Sequence, residues 1–154
     1  RDEPYWIEIV VRFTLHPDLE RDGITLGEFA LSRLLMINDA AYPWCVLVPR
    51  VANIKDAYQL SEGQHAQMMA ESRALCRAMM TVFKGDKMNV AALGNMTPQL
   101  HVHHIVRRAG DPAWPGAIWG HAPLTAMTND EIKTRQAALS AALSEEDVHF
   151  GALS

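Results

Sequence analysis

The chain has little of several features that mark particular classes of protein. It holds 14 lysines and arginines against 18 aspartates and glutamates, and its net charge of −4 argues against a broad nucleic-acid-binding face. Only two cysteines are present, Cys45 and Cys76, which allows no disulfide framework and no Cys-x-x-Cys metal motif. No hydrophobic run approaches the ~20 residues of a membrane span. No secretory signal is visible. We therefore expect a cytoplasmic protein with reduced thiols, bound to neither membrane nor nucleic acid.

What remains is the composition of an ordinary globular domain. Apolar residues make up 49% of the chain and charged residues 21%. A length of 154 residues is that of one domain, which buries roughly 70% of the surface of its unfolded chain. We therefore expect residues 1–154 to form a single domain.

Hydrophobic periodicity predicts an α+β fold. The strand candidates are residues 31–37, 44–49, 88–93 and 100–107. A long helix is predicted from Ser61, which has Gln64 at capping-box spacing, to about residue 83, and a second from Thr128 to about Leu143. Residues 5–14 fit either a strand or an added segment. Residues 16–27 are polar and turn-rich, and residues 111–120 carry too much proline and glycine for a regular element.

The last strand candidate holds three of the seven histidines, at positions 101, 103 and 104. Because successive side chains of a strand point to opposite faces, His101 and His103 share one face with Gln99. We call these three residues the histidine row. His104 lies on the opposite, mostly apolar face, and a partly buried, hydrogen-bonded histidine is the interpretation we favour for it. One buried sheet face explains the apolar residues but not the imidazoles behind them.

Three interpretations of the histidine row compete. The histidines can be ordinary solvated or hydrogen-bonded side chains. They can form a metal site, although His104 points away and leaves at most two ligands on one face, with no His-Glu-x-x-His motif to supply others. Alternatively, one histidine acts as a nucleophile while its neighbours neutralise an anionic group.

The residues before the histidine row favour an anion. Gly94 and Asn95 both tolerate positive φ, and successive amides in such a turn can form an anion-binding nest. Thr97 and Gln99 add neutral hydrogen-bond donors. Ordinary turn chemistry also explains Asn95 and Thr97, and only the adjacent histidines tip the balance toward phosphate binding.

The segment resembles the signature of the histidine triad superfamily, His-φ-His-φ-His-φ-φ, where φ is apolar. Gln99 falls on the first histidine, His101 on the middle one and His103 on the last, whereas His104 replaces an apolar residue. This Gln-φ-His-φ-His version is similar to a bacterial branch often labelled diadenosine-polyphosphate-hydrolase-like. The similarity covers about residues 29–120.

The resemblance implies a histidine triad fold, an antiparallel sheet of about five strands with two main helices. It implies that Asn95 contacts phosphate and that Asn38 or Asp39 holds ribose hydroxyls. From their places beside His101, we expect Thr97 and Gln99 to donate to the same phosphate, and His103 to bind phosphate oxygens or help the leaving group. A turn at the end of a strand explains Asp39 equally well. It also implies a homodimer across the long helix and a neighbouring strand. The methionines at positions 68, 69, 79 and 80 fit either such a contact or the core.

The chemistry that fits is nucleotidyl transfer to water, with a purine nucleotide as the substrate. His101 attacks the α-phosphorus, a nucleotidyl-histidine forms and water resolves it, so that neither a metal nor a cofactor is needed. The other ring nitrogen of His101 should donate to a backbone carbonyl, which fixes the tautomer. The rival is a nucleotide-binding regulatory module without useful turnover, because Gln99 cannot carry a proton. Trp114 and Trp119 fit a base contact, a subunit contact or the core.

Overall fold

The computed structural model of the protein describes residues 12–153, so most of the 5–14 segment lies outside it. The helices are α1 (Pro17–Asp22), α2 (Glu62–Phe83) and α3 (Asn129–Leu143), with a short 3-10 turn at Ala57–Gln59. The strands are β1 (Gly23–Phe29), β2 (Ser32–Ile37), β3 (Trp44–Pro49), β4 (Lys87–Ala91), β5 (Val102–Arg107) and β6 (Phe150–Ala152). The α+β class expected from the sequence is confirmed.

The strands form one antiparallel sheet in the order β4-β5-β3-β2-β1-β6. Within the described residues the sheet therefore has six strands, one more than the five or so expected. The strands β4 and β5 pair as an antiparallel hairpin, and both end short of the bounds expected from the sequence. Residues 92–101 connect them, which puts His101 just before β5 rather than within it.

Both long helices begin at the capping boxes read from the sequence. Ser61 accepts from the backbone of Gln64 and the Gln64 side chain accepts from that of Ser61, while Thr128 and Glu131 do the same for α3. The α2 helix ends at Lys84, which takes the left-handed conformation. Caps of this kind satisfy backbone donors that the first helical turn leaves open.

The methionines of α2 divide between core and surface. Met68 and Met79 are buried in the main core, and Met80 is partly buried against it. Met69 is 53% exposed. Core packing therefore accounts for most of the methionine stripe, and only Met69 is left as surface that another subunit can cover.

Residues 16–27 were expected to be irregular, and this was wrong. The α1 helix is only six residues long, and the Nδ1 atom of His16 caps it by accepting from Asp18 N at 3.0 Å. In β1 a bulge between Thr25 and Gly27 shifts the register, which interrupts the alternation that would have marked a strand. The short terminal strand β6 was also missed.

Both faces of the sheet are covered, not one. The helices α2 and α3 pack on the face that carries Val102, His104 and Val106. On the other face, Phe13, Leu15 and Leu19 cover part of β2 and β3. Residues 113–119 cover its far end through Ile118 and Trp119. Trp44 packs against both coverings, next to the histidine row.

Candidate active site

His101 is held in a single tautomer by the backbone. Its Nδ1 atom lies 2.6 Å from the carbonyl oxygen of Gln99. A carbonyl oxygen only accepts hydrogen bonds, so Nδ1 carries a proton, and in the neutral imidazole the lone pair is therefore on Nε2. The contact expected from the sequence is present. Among residues 12–153 no protein group hydrogen-bonds to Nε2 of His101, and the side chain is 7% exposed.

His103 lies beside His101 among aromatic side chains. The two imidazole rings are 5.0 Å apart and nearly perpendicular, and the ring of Trp119 is 5.2 Å from that of His103. The indole Nε1 of Trp44 donates to His103 Nδ1 at 3.0 Å. Burial, and then the neighbouring His101 and His104, lower the pKa of His103 to about 3. His103 is therefore neutral at physiological pH.

His104 lies on the opposite face of β5, as the alternation predicts, and is fully buried there. Its Nδ1 lies 2.9 Å from the Val102 carbonyl oxygen and its Nε2 lies 2.7 Å from the Ser72 hydroxyl. Burial lowers its pKa to about 4. These contacts join β5 to α2, which supports the structural interpretation favoured from the sequence. Across the described residues, no three His, Cys, Asp or Glu side chains are placed to hold a metal ion.

In the loop that precedes β5 only Gly94 takes a positive φ, whereas Asn95, which also tolerates one, does not, and the polar side chains of the loop are partly engaged. Gly94 has a φ of +67°, and Asn95 is exposed. Thr97 Oγ1 donates to Asp18 Oδ2 at 2.8 Å. Gln99 Oε1 accepts from the backbone of His16 at 2.8 Å, and Gln99 Nε2 donates to the carbonyl of Thr14 at 2.8 Å. Thr97 and Gln99 thus hold the N-terminal segment against the sheet.

The two residues expected to contact ribose follow β2 and also shape the backbone. Asn38 Oδ1 accepts from Met127 N at 2.8 Å. Asp39 Oδ1 accepts from Ala41 N at 3.0 Å and from Thr125 N at 3.3 Å. Within residues 12–153 the second carboxylate oxygen of Asp39 and the Asn38 amide nitrogen have no hydrogen-bond partner. Both side chains therefore hold the backbone as the turn interpretation expects, and each retains one polar group without a hydrogen-bond partner among residues 12–153.

An apolar pocket of about 340 Å³ adjoins Asp39. Its walls include the aromatic side chains of Tyr42, Trp44 and Trp119, and residues 120–125 close one side. Of the two tryptophans left open by the sequence, Trp119 thus lies at the site, between this pocket and His103. Trp114 packs on Arg107, whose guanidinium carbon lies 5.5 Å from the centre of the Trp114 ring.

A buried ion pair next to the site was missed in the sequence. Arg107 donates to both carboxylate oxygens of Asp111, at 2.8 and 2.9 Å, and to Asn89 Oδ1 at 2.9 Å. Tyr42 and Trp114 lie on the guanidinium. Arg107 ends β5 and a turn at Arg108 brings Asp111 back to it, so no sequence periodicity marks the pair. This ion pair anchors the loop that carries Trp119.

The comparisons with known proteins agree with the fold described above. A model of the HIT domain family matches residues 18–110. A histidine triad protein from Marinobacter aquaeolei VT8 is 48% identical over 88% of this chain and 98% of its own, with a TM-score of 0.85. One from Bradyrhizobium japonicum is 43% identical over 86% and 98%, with a TM-score of 0.84. One from Sinorhizobium meliloti 1021 is 38% identical over 84% and 96%, with a TM-score of 0.83.

No curated protein matches the chain. In the described residues, no helix is long and apolar enough to cross a membrane. The matched family model covers more than half of the 154 residues, and solved relatives cover nearly all of them. The chain belongs to the histidine triad (HIT) family.

Proposed function

We propose that the protein is a nucleotide hydrolase or nucleotidyl transferase that acts at the α-phosphate of a purine nucleoside phosphate. The observation that carries the proposal is the fixed tautomer of His101. The carbonyl of Gln99 holds the proton on Nδ1, which leaves the Nε2 lone pair unprotonated and without a protein partner in the described chain. A nucleophile in this state needs no separate base to activate it.

The reaction then proceeds in two displacements. His101 Nε2 forms a bond to the α-phosphorus while the bond to the leaving group breaks, and the leaving group takes that electron pair. In the nucleotidyl-imidazolium the proton stays on Nδ1, which donates to the carbonyl oxygen of Gln99, and this hydrogen bond stabilises the positive charge. Water then attacks the same phosphorus and gives up a proton to solvent, while the bond between phosphorus and His101 Nε2 breaks and its electron pair returns to Nε2. Each step is easier than direct hydrolysis.

The proposed phosphate contacts are Asn95, Thr97, Gln99 and His103, and the proposed ribose contacts are Asn38 and Asp39. Asn95 is exposed on the loop and is ready to bind. Thr97 and Gln99 must first exchange their bonds to Asp18 and to the N-terminal segment. The aromatic pocket beside Asp39 is suited to a base or an aromatic leaving group.

Dinucleoside polyphosphates and nucleoside phosphoramidates are the two substrate classes that we propose. Both place a leaving group on an α-phosphate, and the resemblance of the motif to the diadenosine-polyphosphate-hydrolase-like branch favours the first. The unpaired thiols of Cys45 and Cys76 suit a reducing compartment, and we propose that the protein acts in the cytoplasm.

The proposal is tested with a fluorogenic adenosine phosphoramidate and with diadenosine polyphosphate. We expect His101→Ala to lower turnover by several orders of magnitude while nucleotide still binds. The P–N bond of a nucleotidyl-histidine is labile in acid, so reactions are quenched rapidly in alkali, and intact-protein mass spectrometry should then show a nucleotidyl adduct in the native chain but not in His101→Ala. His65→Ala removes an exposed histidine of α2 and serves as the matched control.

Near-normal hydrolysis by His101→Ala would refute the assignment of His101 as the nucleophile. Tight binding without products in the native chain would favour the regulatory module instead.

A further inference from the structure

The hydrogen bond between Trp44 and His103 lies within the site but takes no direct part in the two displacements. Trp44 begins β3, and its neighbour two residues on, Val46, pairs with His103 across the sheet. The two side chains thus share a face, and the indole Nε1 lies 3.0 Å from His103 Nδ1. The indole nitrogen can only donate a hydrogen bond, so His103 Nδ1 must hold a lone pair.

We propose that Trp44 is a positioning residue that locks the proton of His103 on Nε2, so that His103 acts as a neutral hydrogen-bond donor to phosphate or to the leaving group. The proposal rests on the function proposed above. It gives the two histidines opposite tautomers: His101 presents a lone pair at Nε2, and His103 presents an N–H at Nε2. A nucleophile and a donor are what an attack on phosphate requires.

Among residues 12–153, Trp44 is the one group that hydrogen-bonds to the His103 ring and can fix its proton. From β5 the titratable neighbours are His101 and His104, and neither hydrogen-bonds to His103. From residues 113–119, which cover this end of the sheet and which we call the covering loop, Trp119 packs nearly perpendicular to the ring. On the neighbouring strand β4, the residue paired with His103 is Ala91, which has no polar side chain. Within the described residues no carboxylate faces the ring, and protonation at Nδ1 would turn two N–H groups toward each other.

This arrangement makes His103 a donor whose state does not change between about pH 5 and 8. Burial acts in the same direction, because it lowers the pKa of His103. In Trp44→Phe the Nδ1 lone pair loses its partner. The ring can then take the other tautomer or a second proton, and kcat should fall about tenfold, the usual effect of one lost buried hydrogen bond. A new ionisation should enter the acid side of the pH profile, whereas a change in packing alone would leave its shape unaltered.

The first measurement uses the native full chain, with nitrogen-15 in histidine and tryptophan. Two-bond and through-hydrogen-bond couplings in NMR spectra identify which His103 nitrogen carries the proton and whether it is bonded to the Trp44 indole. We expect an unprotonated Nδ1 coupled to that indole nitrogen throughout the range from about pH 5 to 8. A protonated Nδ1, or no coupling, would overturn the proposal even if no variant folds.

The second measurement compares Trp44→Phe with Trp119→Phe. Both remove an indole that contacts the His103 ring, but only the first removes a hydrogen bond. The His103 tautomer should become mixed or titrate in Trp44→Phe and stay as in the native chain in Trp119→Phe. An unchanged tautomer in a folded Trp44→Phe would contradict the proposal. A Trp44-dependent tautomer in a chain that hydrolyses no nucleotide would refute the proposed function while confirming that Trp44 fixes His103.

Discussion

The ion pair between Arg107 and Asp111 allows a quantitative test of how the site is held together. The Arg107 side chain is 2% exposed and that of Asp111 is 10% exposed. Asp111 also accepts from the backbone of Arg108 and Trp114, which shapes the start of the covering loop. Asp111→Asn keeps the size of the side chain but removes its charge, and it leaves the buried guanidinium without a counter-ion.

The size of the effect follows from the pKa of Asp111. The two hydrogen bonds from Arg107 are the main cause that holds this pKa at about 2, below its ordinary value of 3.8. At about 1.36 kcal/mol for each pH unit, the difference corresponds to about 2.5 kcal/mol of folding stability. Trp114, which lies on the guanidinium, is 38% exposed, so water partly screens the ion pair. We therefore expect Asp111→Asn to lower the free energy of unfolding by about 1–2 kcal/mol.

The sign of the pH dependence is fixed as well. A carboxyl group whose pKa is lower in the folded chain stabilises the fold above its ordinary pKa of 3.8, and that contribution is lost as the pH falls toward 2. The native chain and Asp111→Asn should therefore differ most at neutral pH and converge in acid. The N-terminal side of the covering loop loosens in the variant, so the contact between Trp119 and His103 weakens and turnover should fall.

The assay is urea unfolding followed by tryptophan fluorescence, from neutral pH to the acid limit of the native fold. Asp147→Asn is the control, because Asp147 is exposed and has no ion pair within residues 12–153. The control should unfold as the native chain does at every pH. Native stability of Asp111→Asn at neutral pH would contradict this prediction. So would a loss of unfolding free energy that stays constant as the pH falls from 3.8 toward about 2.

Two further predictions concern the metal and the subunits. We expect activity to survive a chelator, because His104 faces away from His101 and His103; loss of activity that zinc alone restores would overturn the mechanism. We expect a homodimer of about twice 17.1 kDa in sedimentation at micromolar concentration, since Met69 on α2 and Val90 on the edge strand β4 are 53% and 48% exposed. A clean monomer would leave these side chains as isolated surface residues.

Local patterns were sufficient to predict much of the fold. Alternation along residues 99–106 separated His104 from His101 and His103, and the structure gives His104 the buried partner expected. The capping boxes at Ser61 and Thr128 marked both long helices. These signals lie within a few residues of one another, so they can be read without knowing the fold. The α1 helix has no such signal, because its cap is a histidine side chain and its length is below two turns.

The contacts that organise the candidate site join residues far apart in sequence. Trp44 and His103 are 59 positions apart, and Gln99 is 83 positions from His16. No periodicity carries information about such pairs, because they depend on which strands become neighbours. A tryptophan at the start of a strand is also ordinary core composition. The role of Trp44 could therefore be recognised only after the order β5-β3 was known.

The position of Gln99 shows why departure from the motif was hard to interpret from sequence. Its carboxamide presents an acceptor and a donor side by side, and these meet the N–H of His16 and the C=O of Thr14, two residues apart on an extended segment. The nitrogens of an imidazole point in divergent directions and cannot bond both groups. Glutamine at this position therefore secures the N-terminal segment over the sheet, while its backbone carbonyl still sets the tautomer of His101. The substitution changes what covers the site and leaves the geometry of the proposed nucleophile intact.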